Sequence, residues 1–143
     1  MWEPRIRIQG LISRLITFPM ARLLVKLHIS ANMLTIFGLF VVGIAAVIIS
    51  QGDLLLGSGV MVLGSGMDML DGAVARLSGK QNRIGAFLDS TLDRLGETFI
   101  FLGLIVYFVR LGSDSGVYLS ATVLAVSLLI SYLRAKGEAM GVS

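Results

Sequence analysis

The 143-residue sequence contains no cysteine and only one histidine, His28. The absence of cysteine excludes disulfides, thiolate metal sites and cysteine nucleophiles. A single histidine argues equally against a zinc site built on imidazoles and against a Ser-His triad. Charged residues are also scarce, because they make up 15% of the chain, whereas an average soluble domain has about 25%.

Apolar residues take the place of the missing charges. They account for 55% of the chain, and the mean hydropathy is +0.87. So much apolar surface excludes both a soluble globular domain and a disordered chain. The sequence therefore predicts an integral membrane protein with the lipid bilayer as its surroundings.

Four apolar stretches are long enough to cross a bilayer as helices, which takes about 20 residues each. The residues before them predict an amphipathic helix in the headgroup layer, kinked at Pro19, with a loose basic leader as the alternative. We thus predict an all-α membrane protein with an interfacial segment (residues 1–32) and a transmembrane domain (residues 33–143). The predicted spans are Met33–Ser50, Leu54–Ala75, Ile84–Val109 and Gly116–Leu133.

The basic residues predict how these helices are oriented. Ten of them fall on the side that holds both chain ends, and one, Arg110, falls on the other. Because Lys and Arg concentrate on the cytoplasmic side, we expect a multi-pass protein of the cell (inner) membrane with both chain ends and the connection between the second and third spans in the cytoplasm. The same rule accounts for the net charge of +3, so we expect no nucleic-acid partner.

Five of the nine acidic residues lie inside predicted spans, where each costs about 3 kcal/mol. Asp68 and Asp71 are three residues apart, and Asp89 and Asp93 are four apart, so each pair shares one face of its helix. Both pairs lie at cytoplasmic helix ends joined by a short loop. We therefore predict that four carboxylates converge on one cavity; the fifth acidic residue is Glu97.

Four carboxylates in one cavity need a cation, because like charges a few ångströms apart do not all stay ionised without one. With no thiolate and almost no imidazole available, the expected ion is Mg²⁺ or Mn²⁺. Arg76 is placed to bind a phosphate, while Gly72 and Ala75 let a flat group approach the helix backbone. These residues predict a nucleotide diphosphate substrate and metal-assisted phosphoryl-group transfer.

The residues with this chemistry form one spaced pattern, Asp68-x2-Asp71-Gly72-x2-Ala75-Arg76-x8-Gly85-x3-Asp89-x3-Asp93. At every fixed position and every spacing the pattern resembles the signature of the CDP-alcohol phosphatidyltransferases. A chance match at average residue frequencies has a probability on the order of 10⁻¹⁰ per starting point. Nearly the whole chain is similar to that family, including residues 30–35 at the start of the first predicted span.

The resemblance implies an enzyme that moves a phosphatidyl-type group from a CDP-linked lipid to an alcohol and releases CMP. It also implies a homodimer and a role for Asp93 as the base that activates the alcohol. The implied metal ligands are Asp68, Asp71, Asp89 and Asp93. The implied CDP contacts are Gly72, Ala75, Arg76, Gly85 and Thr35. For Thr35, capping the first predicted helix is the alternative.

Two segments are similar to the family members that use an inositol phosphate as acceptor, the phosphatidylinositol phosphate synthases. Residues 85–94 carry Ser90 and Arg94, where users of glycerol phosphate more often have Pro and Lys. Residues 131–138 resemble the same branch. The implied ligands of the acceptor phosphate are Ser131, Arg134 and Lys136. For the two cations, the positive-inside rule is an equal explanation, and glycerol 3-phosphate is the alternative acceptor.

The chain also departs from the family. Members usually have six spanning helices, so the four predicted here suggest a fragment or a naturally shortened relative, and Ala31 stands where proline is usual. A non-catalytic membrane scaffold and a cation transporter are therefore kept as alternatives, and a prenyltransferase fits less well. Glu97 lies outside the pattern and is expected to form a polar pair, for example with Arg94. For Arg94, the alternative role is to bind the acceptor phosphate.

Overall fold

A computed structural model describes residues 17–79 and 83–141, except for the side chain of Asp68. The described residues form five α-helices and no strands, which confirms the all-α prediction. The helices are α1 (Phe18–Lys26), α2 (Ala31–Gln51), α3 (Leu54–Ser78), α4 (Arg83–Leu111) and α5 (Asp114–Ala139).

Three helices in the described part of the chain, α2, α3 and α5, are long and apolar enough to cross a membrane. The chain is accordingly a membrane protein. Helix α4 has 29 residues, but charged side chains interrupt its first half, so the prediction that it also crosses stays a prediction. Each of these helices is longer than the apolar span predicted for it. At their C-terminal ends, α3 and α5 continue into polar residues.

Short polar side chains define where the helices begin. The amide of Met33 donates to Ser30 Oγ at 3.3 Å, and the amide of Leu56 donates to Asp53 Oδ1 at 3.1 Å. Ser113 Oγ accepts from the amide of Gly116 at 3.4 Å. Each bond satisfies an amide that has no partner within its own helix. The cap of α2 is therefore Ser30, so the alternative reading of Thr35 as that cap is wrong.

The end of α1 is a tight left-handed turn at His28, which has a φ of 58°. The amide of Ile29 donates to the carbonyl of Leu24, and the amide of His28 donates to that of Val25. This pair of bonds is the Schellman motif, which usually places glycine at the left-handed position. Pro19 lies in the first turn of α1, where a proline replaces no helical hydrogen bond. The rest of the predicted interfacial segment, residues 1–16, lies outside the described residues.

The chain divides into two compact units. The first unit contains the described residues up to Val41 together with Val62–Leu92. Its core is built from small and medium apolar side chains of α1, α2 and α3. The buried members are Ala21, Leu34, Ala73 and Val74. Leu24, Val25, Ile29, Ala31 and Leu70 pack against them. This core holds the beginning of α2 against the second half of α3.

The second unit contains Val42–Met61 and the described residues from Asp93 onwards. Its helices approach one another closely at several glycines, where an added Cβ atom would collide with a neighbouring helix. A Cβ atom on Gly103 of α4 would lie 2.5 Å from the carbonyl oxygen of Ala46 in α2. A Cβ on Gly116 of α5 would run into the ring of Phe108 in α4. Small residues at helix contacts are typical of membrane proteins, in which close packing drives helix association.

Candidate functional site

The first unit contains a cavity of about 270 Å³ lined by the beginning of α2, the second half of α3 and the beginning of α4. That volume lies near the lower end of ligand clefts, which measure roughly 300–1,000 Å³. Six of the eight residues in the spaced sequence pattern line it. The lining residues are Ala31, Asn32, Thr35, Asp71, Gly72, Ala75, Arg76, Gly85, Ala86 and Asp89. All five predicted CDP contacts are in this cavity.

Helical periodicity explains why one face of α3 lines the cavity. Asp71, Ala75 and the neighbouring Gly72 and Arg76 recur at intervals of three or four residues, so they lie on the same side of the helix. Asp71 is only 4% exposed, whereas the Arg76 side chain is exposed. The face therefore combines a buried carboxylate, a small-residue surface and an accessible cation.

Gly72 contributes space to the cavity. A Cβ atom added to Gly72 would come only within 3.9 Å of Arg76 Nη2, an ordinary van der Waals contact. The protein's own packing therefore does not require glycine at this position. A small residue here leaves the α3 backbone accessible from the cavity.

A direct bond joins α2 to α3 inside the cavity. The Thr35 hydroxyl lies 2.7 Å from Asp71 Oδ2 and 3.1 Å from the carbonyl oxygen of Ala31. Thr35 is 6% exposed, so the pair lies almost entirely out of solvent. Sequence analysis placed both residues at the site but missed this bond, because 36 residues separate them and no local pattern relates their positions.

The oxygen donors of the cavity suit a hard cation. Asp71 and the half-buried Asp89 both line it, and one or two carboxylates together with substrate phosphates are what Mg²⁺ usually takes from a protein. Among the described side chains no group of three or more Asp, Glu, His or Cys residues is close enough to hold a metal ion. The side chain of Asp68, the predicted third ligand, lies outside the described residues. The four-carboxylate set stays a prediction.

Asp93, the predicted base, belongs to the second unit and is half-buried. It follows Asp89 by four residues in α4. Of the predicted ligands of the acceptor phosphate, Ser131 is half-buried, while Arg134 and Lys136 are exposed on the last turns of α5. Arg134 Nε lies 3.2 Å from Glu138 Oε1 in an exposed pair. The roles of these four residues stay predictions.

A polar network in the second unit connects α4 to α5. Arg94 Nη1 pairs with Glu97 Oε2 at 2.5 Å, which confirms the predicted pairing of these residues. The same Arg94 nitrogen lies 3.3 Å from Ser131 Oγ. Ser127 Oγ donates to the other Glu97 oxygen at 2.6 Å. Sequence analysis missed Ser127, although its spacing of four from Ser131 places both on one face of α5.

The family model described as CDP-alcohol phosphatidyltransferase matches residues 28–141 of the chain. A phosphatidylinositol phosphate synthase of Corynebacterium glutamicum is 35% identical over 133 residues, which cover 90% of this chain and 60% of that protein.

Two solved structures of a Mycobacterium tuberculosis phosphatidylinositol phosphate synthase have a similar fold. One has CDP-DAG bound, with a TM-score of 0.81 and 35% identity, covering 88% of this chain and 64% of that one. The other is in complex with manganese and citrate, with a TM-score of 0.81 and 34% identity, covering 88% and 61%. The chain thus spans about 60 to 64% of the length of these proteins.

Proposed function

The chain belongs to the CDP-alcohol phosphatidyltransferase family, and on this premise we propose that it transfers a phosphatidyl-type group from a CDP-linked lipid to an inositol phosphate. In the reaction the acceptor hydroxyl attacks the phosphorus atom that bears the lipid. The bond from that phosphorus to the bridging oxygen of the pyrophosphate breaks, the hydroxyl proton goes to a base, and CMP leaves. The product belongs to phospholipid biosynthesis.

The observation that carries the proposal is the cavity of the first unit. Six signature residues from two helices line it together with Thr35 and Asn32. The cavity contains carboxylates, the exposed Arg76 and the accessible backbone at Gly72. These are the groups that a pyrophosphate linked to a nucleoside needs. The bound CDP-DAG in the M. tuberculosis synthase supports the same class of donor substrate.

We propose Asp68, Asp71, Asp89 and Asp93 as the residues that hold a divalent cation. The manganese complex of the M. tuberculosis synthase supports a metal cofactor. When bound, Mg²⁺ or Mn²⁺ would neutralise the charge of the pyrophosphate oxygens. Arg76 would bind a phosphate oxygen from the cavity, and Gly72, Ala75, Gly85 and Thr35 would contact the CDP group.

We propose Asp93 as the general base and Ser131, Arg134 and Lys136 as ligands of the acceptor phosphate. The family resemblance supports these roles, and the names of the curated relatives support an inositol phosphate as acceptor. We further propose that the enzyme lies in the cell membrane with its site facing the cytoplasm and acts as a homodimer. The positive-inside distribution of Lys and Arg supports the orientation.

The test is CMP release from CDP-diacylglycerol by the purified chain in detergent, with inositol phosphate or glycerol 3-phosphate as acceptor. We expect release only with Mg²⁺ or Mn²⁺, and faster release with inositol phosphate. Asp93→Asn should lower kcat by about 10²- to 10⁴-fold, the usual contribution of a general base, while CDP-diacylglycerol still binds. Asp114→Asn, at the exposed first turn of α5, is the control and should leave the rate unchanged.

Three outcomes contradict parts of this proposal. Normal turnover by Asp93→Asn would remove Asp93 from the role of base. A preference for glycerol 3-phosphate would replace the acceptor but keep the reaction. A folded chain that binds CDP-diacylglycerol yet releases no CMP under any condition would contradict the catalytic role and favour a membrane scaffold.

A further inference from the structure

Thr35 makes a direct bond to one of the proposed metal ligands, since its Oγ1 lies 2.7 Å from Asp71 Oδ2. We propose that Thr35 is a positioning residue whose hydroxyl fixes the orientation in which the Asp71 carboxylate meets a divalent cation. This inference rests on the proposed function, because it assumes that Asp71 holds such a cation. It gives Thr35 a role in addition to the CDP contact proposed above.

The geometry assigns the single hydroxyl proton of Thr35 to Asp71. The competing acceptor, the carbonyl oxygen of Ala31, is 3.1 Å away and uncharged. Hydrogen bonds to a charged acceptor are shorter and stronger than those to a neutral one, and the observed distances follow that order. A carboxylate oxygen has two lone pairs, so accepting one proton does not by itself prevent such an oxygen from binding a cation.

Burial makes the bond effective in holding the carboxylate. Thr35 and Asp71 are 6% and 4% exposed, so water competes little for either group. In such surroundings a hydrogen bond is electrostatically stronger than in water. The two residues also lie on different helices of the first unit, α2 and α3. The bond therefore links the carboxylate to a second rigid helix rather than to its own.

Supporting hydrogen bonds of this kind have a measurable effect in metal sites. Carboxylates that bind metals are themselves hydrogen-bonded, and removing the supporting partner typically costs 10- to 100-fold in metal affinity. A purely structural role for Thr35 would lower stability without a matching change in metal affinity. A role as nucleotide contact alone would weaken CDP-lipid binding and leave metal binding in the absence of nucleotide unchanged.

The test measures Mn²⁺ affinity of the purified full chain in detergent, without nucleotide, from the electron paramagnetic resonance signal of free Mn²⁺. Thr35→Val keeps the shape of the side chain and removes the hydroxyl, so we expect the Kd for Mn²⁺ to rise at least tenfold. Thr35→Ser restores the hydroxyl and should return the Kd to within about threefold of the original. Circular dichroism on heating checks that each variant is folded, and Thr35→Ala is a second hydroxyl-free variant if valine disturbs the helix.

Thr98→Val is the matched control. Thr98 Oγ1 donates to the carbonyl oxygen of Arg94 four residues earlier, at 2.7 Å, so it has the same type of bond within its helix that Thr35 has to Ala31. Its replacement removes a threonine hydroxyl from a helix without touching the cavity. The Kd for Mn²⁺ should stay unchanged.

Asp71→Asn separates this inference from the proposed function. If Asp71→Asn weakens Mn²⁺ binding and Thr35→Val does not, the positioning role is wrong and the metal site stands. If Asp71→Asn binds Mn²⁺ as tightly as the original chain, both the metal site and the role of Thr35 are wrong. Weakened binding in Asp71→Asn and Thr35→Val, with recovery in Thr35→Ser, supports both.

Discussion

The two units differ in how far their hydrogen-bonded polar side chains are exposed to solvent. In the first unit the Thr35–Asp71 bond is almost completely buried and lines a cavity. In the second unit the Arg94 and Glu97 side chains are 44% and 28% exposed. Burial makes a polar bond strong and confines its geometry, whereas exposure lets water compete and weakens it. The buried Thr35–Asp71 bond is therefore suited to holding one geometry, whereas the more exposed Arg94–Glu97 pair is suited to modest local stabilisation.

Glycine also has different uses in the two units. Gly103 of the second unit is needed because a side chain there would collide with the backbone of Ala46. Gly72 of the first unit has room for a side chain as far as the protein's own atoms are concerned. One glycine therefore allows helices to pack, and the other leaves space that a ligand can use. Substitution by alanine distinguishes these uses, because it adds one methyl group in each case.

The largest effect is expected at Gly103. In Gly103→Ala the new Cβ would lie 2.5 Å from the Ala46 carbonyl oxygen and 3.1 Å from its Cα, so the two helix backbones must move apart. We expect the free energy of unfolding in detergent to fall by about 1–3 kcal/mol, the usual cost of overpacking. Gly59→Ala in the same unit is the control, since nothing lies within 4 Å of its added Cβ. Equal stability of the two variants would contradict the close contact.

The second-largest effect is expected in the affinity for CDP-diacylglycerol rather than in the free energy of unfolding. Gly72→Ala adds a methyl group to the cavity, which we expect to lower CDP-diacylglycerol affinity about tenfold, or about 1.4 kcal/mol. The unfolding free energy should not fall, because the methyl group meets only Arg76 Nη2 at 3.9 Å and alanine favours a helix over glycine by about 1 kcal/mol. Isothermal titration and thermal unfolding measure the two quantities.

Gly66→Ala is the control for this pair of measurements. Gly66 lies in α3 and in the first unit, and its added Cβ would meet nothing within 4 Å. It should preserve both stability and lipid affinity. If Gly72→Ala binds CDP-diacylglycerol as tightly as Gly66→Ala does, the open backbone at Gly72 is not used by the ligand.

Periodicity along α3 was enough to predict the four residues of this helix that line the cavity. Asp71, Gly72, Ala75 and Arg76 repeat at helical intervals, and such a pattern depends only on the geometry of one helix. The apolar stretches likewise predicted the all-helical fold, because a bilayer requires long helices with satisfied backbone groups. These features are local, so a single sequence contains them.

Contacts between helices were not predictable in the same way. The Thr35–Asp71 bond depends on how α2 packs against α3, and the approach of Gly103 to Ala46 depends on how α4 packs against α2. Neither contact follows from the helical periodicity of a single segment. The turn at His28 was missed for another reason: its residue type gives only a weak signal, since glycine or asparagine is the usual occupant of a left-handed helix end.

The smallest effect is expected in the polar network of the second unit. Glu97→Gln keeps the size of the side chain but removes the charge that pairs with Arg94 and accepts from Ser127. Because Arg94 is largely exposed, we expect thermal unfolding in detergent to show a loss of no more than about 1 kcal/mol, and Mn²⁺ affinity should stay unchanged. Glu138→Gln, in the more exposed pair with Arg134, is the control and should cost less still. A loss of Mn²⁺ affinity in Glu97→Gln would mean that this network also supports the metal site, which would contradict the purely stabilising role expected of this exposed pair.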